Sequence, residues 1–202
     1  MPTSLILPEP ASGYEPTPNR KRWTRQECKF LVENGLLQGR FELVDGEILS
    51  KMGQKRPHAI TVVLLIQWLT TVFERNHVQC QLPIDVAQYE NEINEPEPDG
   101  AVLAQPATSY TDRNPGPSDL LLVVEVSDST LRFDLRNKAD LYARAGIAEY
   151  WVIDLVGRRI VTHRSPAAGG YEDVVAYATD ESLAPLARPE ASVRGSNLLP
   201  PA

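Results

Sequence analysis

The sequence is short of cysteine: Cys28 and Cys80 are its only two. Two isolated thiols exclude a disulfide framework and a cysteine-built zinc site, and they fit a reduced, cytosolic protein. A hydrophobic run of membrane-spanning length is also missing. The most apolar stretch, Ile60–Phe73 (ITVVLLIQWLTTVF), is shorter than the roughly 20 residues a bilayer core requires. It carries Gln67 and three threonines, which points to a buried helix. No basic segment opens the N-terminus, so no secretory signal is expected. Positive charge is in deficit: 27 acidic residues against 20 basic ones give a net charge of −7. That balance disfavours broad adhesion to nucleic acid, which needs many phosphate contacts. It leaves room for a local basic groove, because the field near a site follows the local charge distribution.

What is present is an ordinary globular composition: 202 residues, 42% hydrophobic and 23% charged. That length suits one domain with a substantial core. Residues 1–20 hold several prolines and no periodicity, so a disordered arm is expected there. A single domain is expected over 21–190, with an irregular tail over 191–202. Thr24-Arg-Gln-Glu27 reads as a capping box opening a helix to about Glu33, with Gly35 placed to end it. Phe41–Leu49 (FELVDGEIL) reads as a hairpin around Asp45-Gly46. Pro57 suits the first turn of a long helix over His58–Glu74. Strands are expected over Val78–Leu82, Ile84–Tyr89 and Ala101–Ala104. Leu120–Val126 is β-branched and apolar on both faces, the mark of a central strand. A helix is expected from about Phe133 to Ala145, followed by the apolar strand Tyr150–Leu155. Two apolar strands around one helix form a βαβ unit and should run parallel. Arg159–His163 and Tyr171–Tyr177 read as a less buried pair. The order of elements is α/β, or its mixed α+β form, with a mixed sheet and at least three helices.

One residue breaks this pattern. In Leu121–Thr130 (LLVVEVSDST), Glu125 interrupts a buried strand and no cation stands nearby in sequence. A buried carboxylate without a partner is costly. Asp99 follows Pro98 just before the strand Ala101–Ala104. If the two strands pair, both acids can share one face or edge of the sheet. Converging carboxylates repel unless something compensates them. A hard divalent cation, Mg²⁺ or Mn²⁺, is one compensator; a raised pKa on one acid is the other. Alone, Asp99 reads as a turn residue after proline. Lys138 is the candidate cation, four residues after Asp134 and four before Tyr142. A surface Asp134–Lys138 pair is the plain reading. Yet Lys138 borders the stripe Leu135, Ala139, Tyr142, from which a lysine stem can cross the core and present its ammonium near the sheet.

Taken together, these segments resemble a known family. Asp99 in EPDGAVL, Glu125 in LVVEVSDST, Asp134 and Lys138 in DLRNKADLYARAGIAEYWVIDL, and FELVDGEIL look like the Uma-type putative restriction endonuclease family of the PD-(D/E)XK nuclease superfamily. The resemblance spans roughly Trp23 to Pro189, and its most specific part is Leu122–Leu155. It implies a restriction-endonuclease-like core, a mixed central sheet flanked by helices. It also implies that Asp99 and Glu125 hold Mg²⁺ or Mn²⁺, with the Val126 carbonyl as a further ligand. A lysine would orient the attacking water or steady the developing charge. Two residues after the acid, where the superfamily pattern has that lysine, this chain has Ser127. The resemblance then assigns the role to Lys138 on the following helix. Glu42 matches an early site glutamate and reads equally as an exposed strand residue. His58 opens a helix, where the dipole disfavours a charged imidazole. It is expected to face solvent, with a phosphate contact as the alternative. Lys51, Lys55, Arg56, Arg132 and Arg136 are the candidate contacts to a nucleic-acid backbone, or else solvated charge.

The expectation is a metal-dependent DNA endonuclease, a hydrolase of phosphodiester bonds. A homodimer is expected by analogy, and no membrane association. Two alternatives share the metal site: a catalytically silent nuclease-fold module for binding or assembly, and a hydrolase of another phosphate-containing substrate.

Overall fold

The computed structural model describes residues 20–51 and 53–201. The expected arm over residues 1–20 lies almost wholly outside the described residues. The first element is α1 (Arg25–Glu33), capped by Thr24. The Thr24 hydroxyl accepts from the Glu27 N–H, and the Glu27 carboxylate accepts from the Thr24 N–H. Strands β1 (Phe41–Val44) and β2 (Glu47–Ser50) form the expected hairpin. Asp45 and Gly46 turn it with φ of 48° and 79°, the left-handed pair that a tight hairpin requires. The long helix α2 (Arg56–Phe73) follows, with proline in its first turn.

The frame is a six-stranded mixed sheet. In chain order its strands are β3 (Val78–Gln79), β4 (Gly100–Leu103), β5 (Leu120–Ser127), β6 (Glu149–Asp154), β7 (Arg159–Ala167) and β8 (Gly170–Ala178), and they lie side by side in that same order. Strands β5 and β6 are parallel and every other pair is antiparallel. The crossover between β5 and β6 is one helical stretch in three parts: α3 (Leu131–Phe133), a π turn over Asp134–Lys138, and α4 (Ala139–Arg144).

Two apolar layers hold the sheet. Leu65 and Leu69 of α2 pack with Leu122, Val124 and Val126 of β5 and Trp151 of β6. On the other face Ala139, Leu141 and Tyr142 of α4 pack with Val123, Tyr150 and Val152. Side chains alternate along a strand, so Glu125 belongs to the α4 face with Val123. Each of these fully buried aliphatic side chains contributes about 1.5–3 kcal/mol relative to exposure. Gly100 lets α2 approach closely at the start of β4, since a Cβ there would lie 3.3 Å from Leu65 Cδ2. Helix α2 is long and apolar enough to meet the minimum for a membrane span, but Leu65 and Leu69 are fully buried against the sheet.

Two segments differ from expectation. The strand expected over Val78–Leu82 ends after two residues, and none forms over Ile84–Tyr89. Gln81 takes a positive φ of 52° and Pro83 supplies no N–H, which together stop the ladder. The segment instead uses single backbone bonds, from the Ile84 N–H to Pro96 and from the Asp85 N–H to Pro115. The tail is less irregular than its composition suggests. Strands β9 (Ser182–Leu183) and β10 (Val193–Arg194) pair. Leu183, Val193, Leu198 and Leu199 are buried in the α2-side core, so the packed domain continues past residue 190.

Candidate active site

Asp99 immediately precedes β4. The antiparallel register of β4 with β5 pairs Gly100 with Val124, and one step further sets Asp99 beside Glu125. The Asp99 carboxylate accepts from the Val126 N–H at 2.9 Å and from Gln81 Nε2 at 2.9 Å. His58 Nε2 lies 3.3 Å from Oδ2, the oxygen that also accepts from Val126. Burial works against the charged form of Asp99, yet His58, Gln81 and the Val126 N–H hold its pKa below the usual carboxylate value.

Glu125 finds its partner on the crossover helix. Lys138 Nζ stands 2.8 Å from Glu125 Oε1 and 2.9 Å from Glu42 Oε2. Tyr142 donates its hydroxyl to the same Glu125 oxygen at 3.2 Å. Glu42, Glu125, Asp134 and Lys138 are all less than a tenth exposed. The π turn supplies the geometry, since both of its buried residues, Asp134 and Lys138, face inward. Such turns are uncommon and concentrate at functional sites. Asp134 is fixed by two hydroxyls, Ser127 Oγ and Thr130 Oγ1, each donating at 2.6 Å. Ser127 thus brings no charge to the floor and instead ties the end of β5 to the helix that carries Lys138.

Electrostatics follow from this crowding. Burial, together with the neighbouring Asp99, Asp134 and Glu42, pushes Glu125 up to about 8 against the pull of Lys138. Burial also raises Asp134. Lys138 is raised too, for the opposite reason: burial opposes its charge, but Glu125, Glu42 and Asp134 outweigh burial and keep it protonated. His58 is raised as well. Burial opposes its charge, but Asp99, the Val126 carbonyl and Asp128 favour it. The site therefore holds four carboxyl groups against one lysine and one histidine, and the imbalance falls on Glu125 as a raised pKa.

These groups line one cleft of about 800 Å³. Its walls include Glu42, Asp99, Glu125, Val126, Asp134 and Lys138, with Arg40, Lys51, Lys55 and His58 among them. Among the described residues no three His, Cys, Asp or Glu side chains converge closely enough to enclose a metal ion. The donors on hand are two carboxylates and a main-chain carbonyl. Hard oxygens in that number suit Mg²⁺, which keeps several of its waters, and the excess of carboxyl groups suits a doubly charged ion. The residues present fit such a group.

The structure gathers Asp99, Glu125, Lys138, Glu42 and Val126 into this cleft, with Lys51 and Lys55 on its walls. Arg56, Arg132 and Arg136 are exposed and do not line it. Each sits on a helix surface that faces water. His58, expected to face solvent, is half-buried against Asp99; a specific carboxylate outweighs the helix dipole there. Gln81 and Arg40 line the cleft without having been singled out, and the buried Tyr142 hydroxyl supports it from behind through Glu125. Asp154 is structural: it accepts from the Gly157 N–H and from Arg159 in the turn after β6.

Comparisons with known proteins point the same way. The sequence model of the Uma2 family, described as putative restriction endonuclease, matches residues 36–194. A crystal structure described as a putative nuclease belonging to DUF820, from Anabaena variabilis, superposes with a TM-score of 0.63. The two share 12% identity, over 83% of this chain and 96% of that one, which is a likeness of fold. No curated protein matches the chain.

Proposed function

The chain belongs to the Uma2 putative restriction endonuclease family, and from that premise we propose that its cleft hydrolyses phosphodiester bonds in DNA with the help of Mg²⁺ or Mn²⁺. The observation that carries this reading is the buried lysine. Lys138 stands between Glu125 and Glu42 on the cleft floor, beside Asp99. An ammonium held among carboxylates in a cleft that also carries basic residues suits chemistry on a phosphate.

In this reading Asp99, Glu125 and the Val126 carbonyl would hold the cation, which when bound polarises the scissile phosphate and lowers the pKa of an attacking water. Lys138 orients that water and steadies charge that develops on the phosphate. Glu42 keeps the ammonium aimed into the cleft from the side away from Glu125. Gln81 and the Val126 N–H fix the Asp99 carboxylate, so that its orientation is set before any ligand arrives. Two chains acting as a homodimer would bring two such clefts to the two strands of a duplex.

Calorimetry with Mg²⁺ and Mn²⁺ tests the first step. Wild-type protein is expected to bind at least one of them, and Asp99→Ala and Glu125→Ala are expected to abolish binding. Incubation of supercoiled DNA with Mn²⁺ then reads cleavage, which Lys138→Ala should remove without removing metal binding. Wild-type protein that binds neither ion defeats the proposal at its base. Metal binding without cleavage of any nucleic acid favours the silent binding module instead.

A further inference from the structure

Every basic side chain on the cleft wall except the buried Lys138 and His58 is already held by an acid of the rim. Arg40 Nη2 and Lys51 Nζ converge on one oxygen, Glu97 Oε2, at 2.8 and 3.3 Å. On another part of the wall Lys55 Nζ reaches Asp128 Oδ2 at 2.8 Å, joining the start of α2 to the turn after β5. We propose that these are two phosphate subsites of a nucleic-acid strand, Arg40 with Lys51 at one and Lys55 at the other, and that Glu97 and Asp128 are carboxylates standing where phosphates of the substrate seat. The proposal rests on the nuclease reading and adds to it where the strand flanking the scissile bond is held.

Three observations support it. One carboxylate cannot neutralise two cations, so the Arg40–Lys51–Glu97 group keeps a net positive charge. A guanidinium beside an ammonium is a common way to grip a phosphate. The pairs also open to solvent on the cation side, with Lys55 72% and Arg40 54% exposed while Lys51 and Glu97 are more enclosed, and exposed ion pairs exchange partners at small cost. Finally, the subsite is wired to the site floor. Arg40 donates to the Gln81 main-chain carbonyl at 3.2 Å, and Gln81 donates to Asp99 at 2.9 Å. A strand seated on Arg40 therefore lies next to the acid proposed to hold the metal. The carboxylates also account for how a chain of charge −7 can carry a phosphate-binding cleft: its cations are masked until a stronger anion arrives.

Fluorescence anisotropy in EDTA, where no cleavage can occur, tests this with a labelled single strand and the matching duplex. Glu97→Gln and Asp128→Asn unmask the cations and are expected to tighten binding about threefold or more. Glu172→Gln on exposed β8 removes the same charge far from the cleft and is expected to change binding much less. Lys55→Ala should weaken binding and lower the slope of log K against log salt by one phosphate contact, about 0.9 on the duplex and about 0.7 on the single strand. Equal effects of Glu97→Gln, Asp128→Asn and Glu172→Gln would reduce the subsites to net charge alone and overturn the proposal. So would an unchanged salt slope in Lys55→Ala, or no strand bound by wild type and by either unmasked variant. Metal calorimetry on the wild type is independent of any strand. Metal binding with no strand effect leaves the metal site standing and removes only the subsites.

Discussion

Glu125→Gln should gain stability relative to the wild type as pH rises. Glu125 is 5% exposed, and its pKa stands at about 8 against an ordinary 4.5. A carboxyl whose pKa is raised on folding resists losing its proton in the native state. The unfolded chain ionises freely above pH 4.5, so the native state loses stability from there until the pH passes 8, where the loss levels off. Each pH unit inside that window is worth about 1.4 kcal/mol. Between pH 6 and pH 8 the wild type should therefore lose about 2 kcal/mol relative to the glutamine variant. Glutamine resembles the protonated acid in shape, and its oxygen can still accept from Lys138 and Tyr142. Lys138 stays charged across this range, so the difference follows mainly from residue 125. Urea unfolding of the two proteins at pH 6, 7, 8 and 9, without added metal, measures it. Parallel stability curves would refute the reasoning, because they would mean that the ammonium keeps Glu125 ionised throughout.

Three further outcomes follow from single contacts. Lys138→Met leaves Glu42 and Glu125 without their shared ammonium and should cost about 3–5 kcal/mol at pH 8, read by the same unfolding experiment. Ser127→Ala removes one of two hydroxyls on buried Asp134 and should cost about 1–2 kcal/mol, with an unchanged far-UV circular dichroism spectrum. Thr24→Ala removes one half of the capping box on α1 and should cost about 1 kcal/mol. Its effect should show as faster amide exchange in the first turn of that helix, away from the cleft.

Local chemistry made much of the fold readable. The capping box, the Asp-Gly hairpin and the paired apolar strands each depend on neighbours within a few residues, and each is where its residues put it. The short β3 was not readable, because the positive φ of Gln81 serves Asp99 and Arg40 and not the ladder. The buried tail was hidden by spacing: Leu183, Val193, Leu198 and Leu199 are too scattered to show a period, yet they close one side of the core. At the site, the position of Lys138 on the edge of the apolar stripe was visible in the pattern. The π turn that aims it has no mark in DLRNK. The place of His58 was set by a partner 41 positions away in sequence, which no local rule could supply. Tyr142 was legible as core, but its hydroxyl bond to Glu125 was not.

Ser127 carries a consequence for where a lysine can stand on this floor. It occupies the strand position two residues after the acid and fastens that strand to Asp134, which opens the π turn. A lysine introduced at 127 would leave Asp134 with Thr130 alone, and would crowd a second ammonium onto the floor. Loss of Lys138 first would leave its two glutamates facing one another. Each single step carries a cost, so residues 127 and 138 act as one unit.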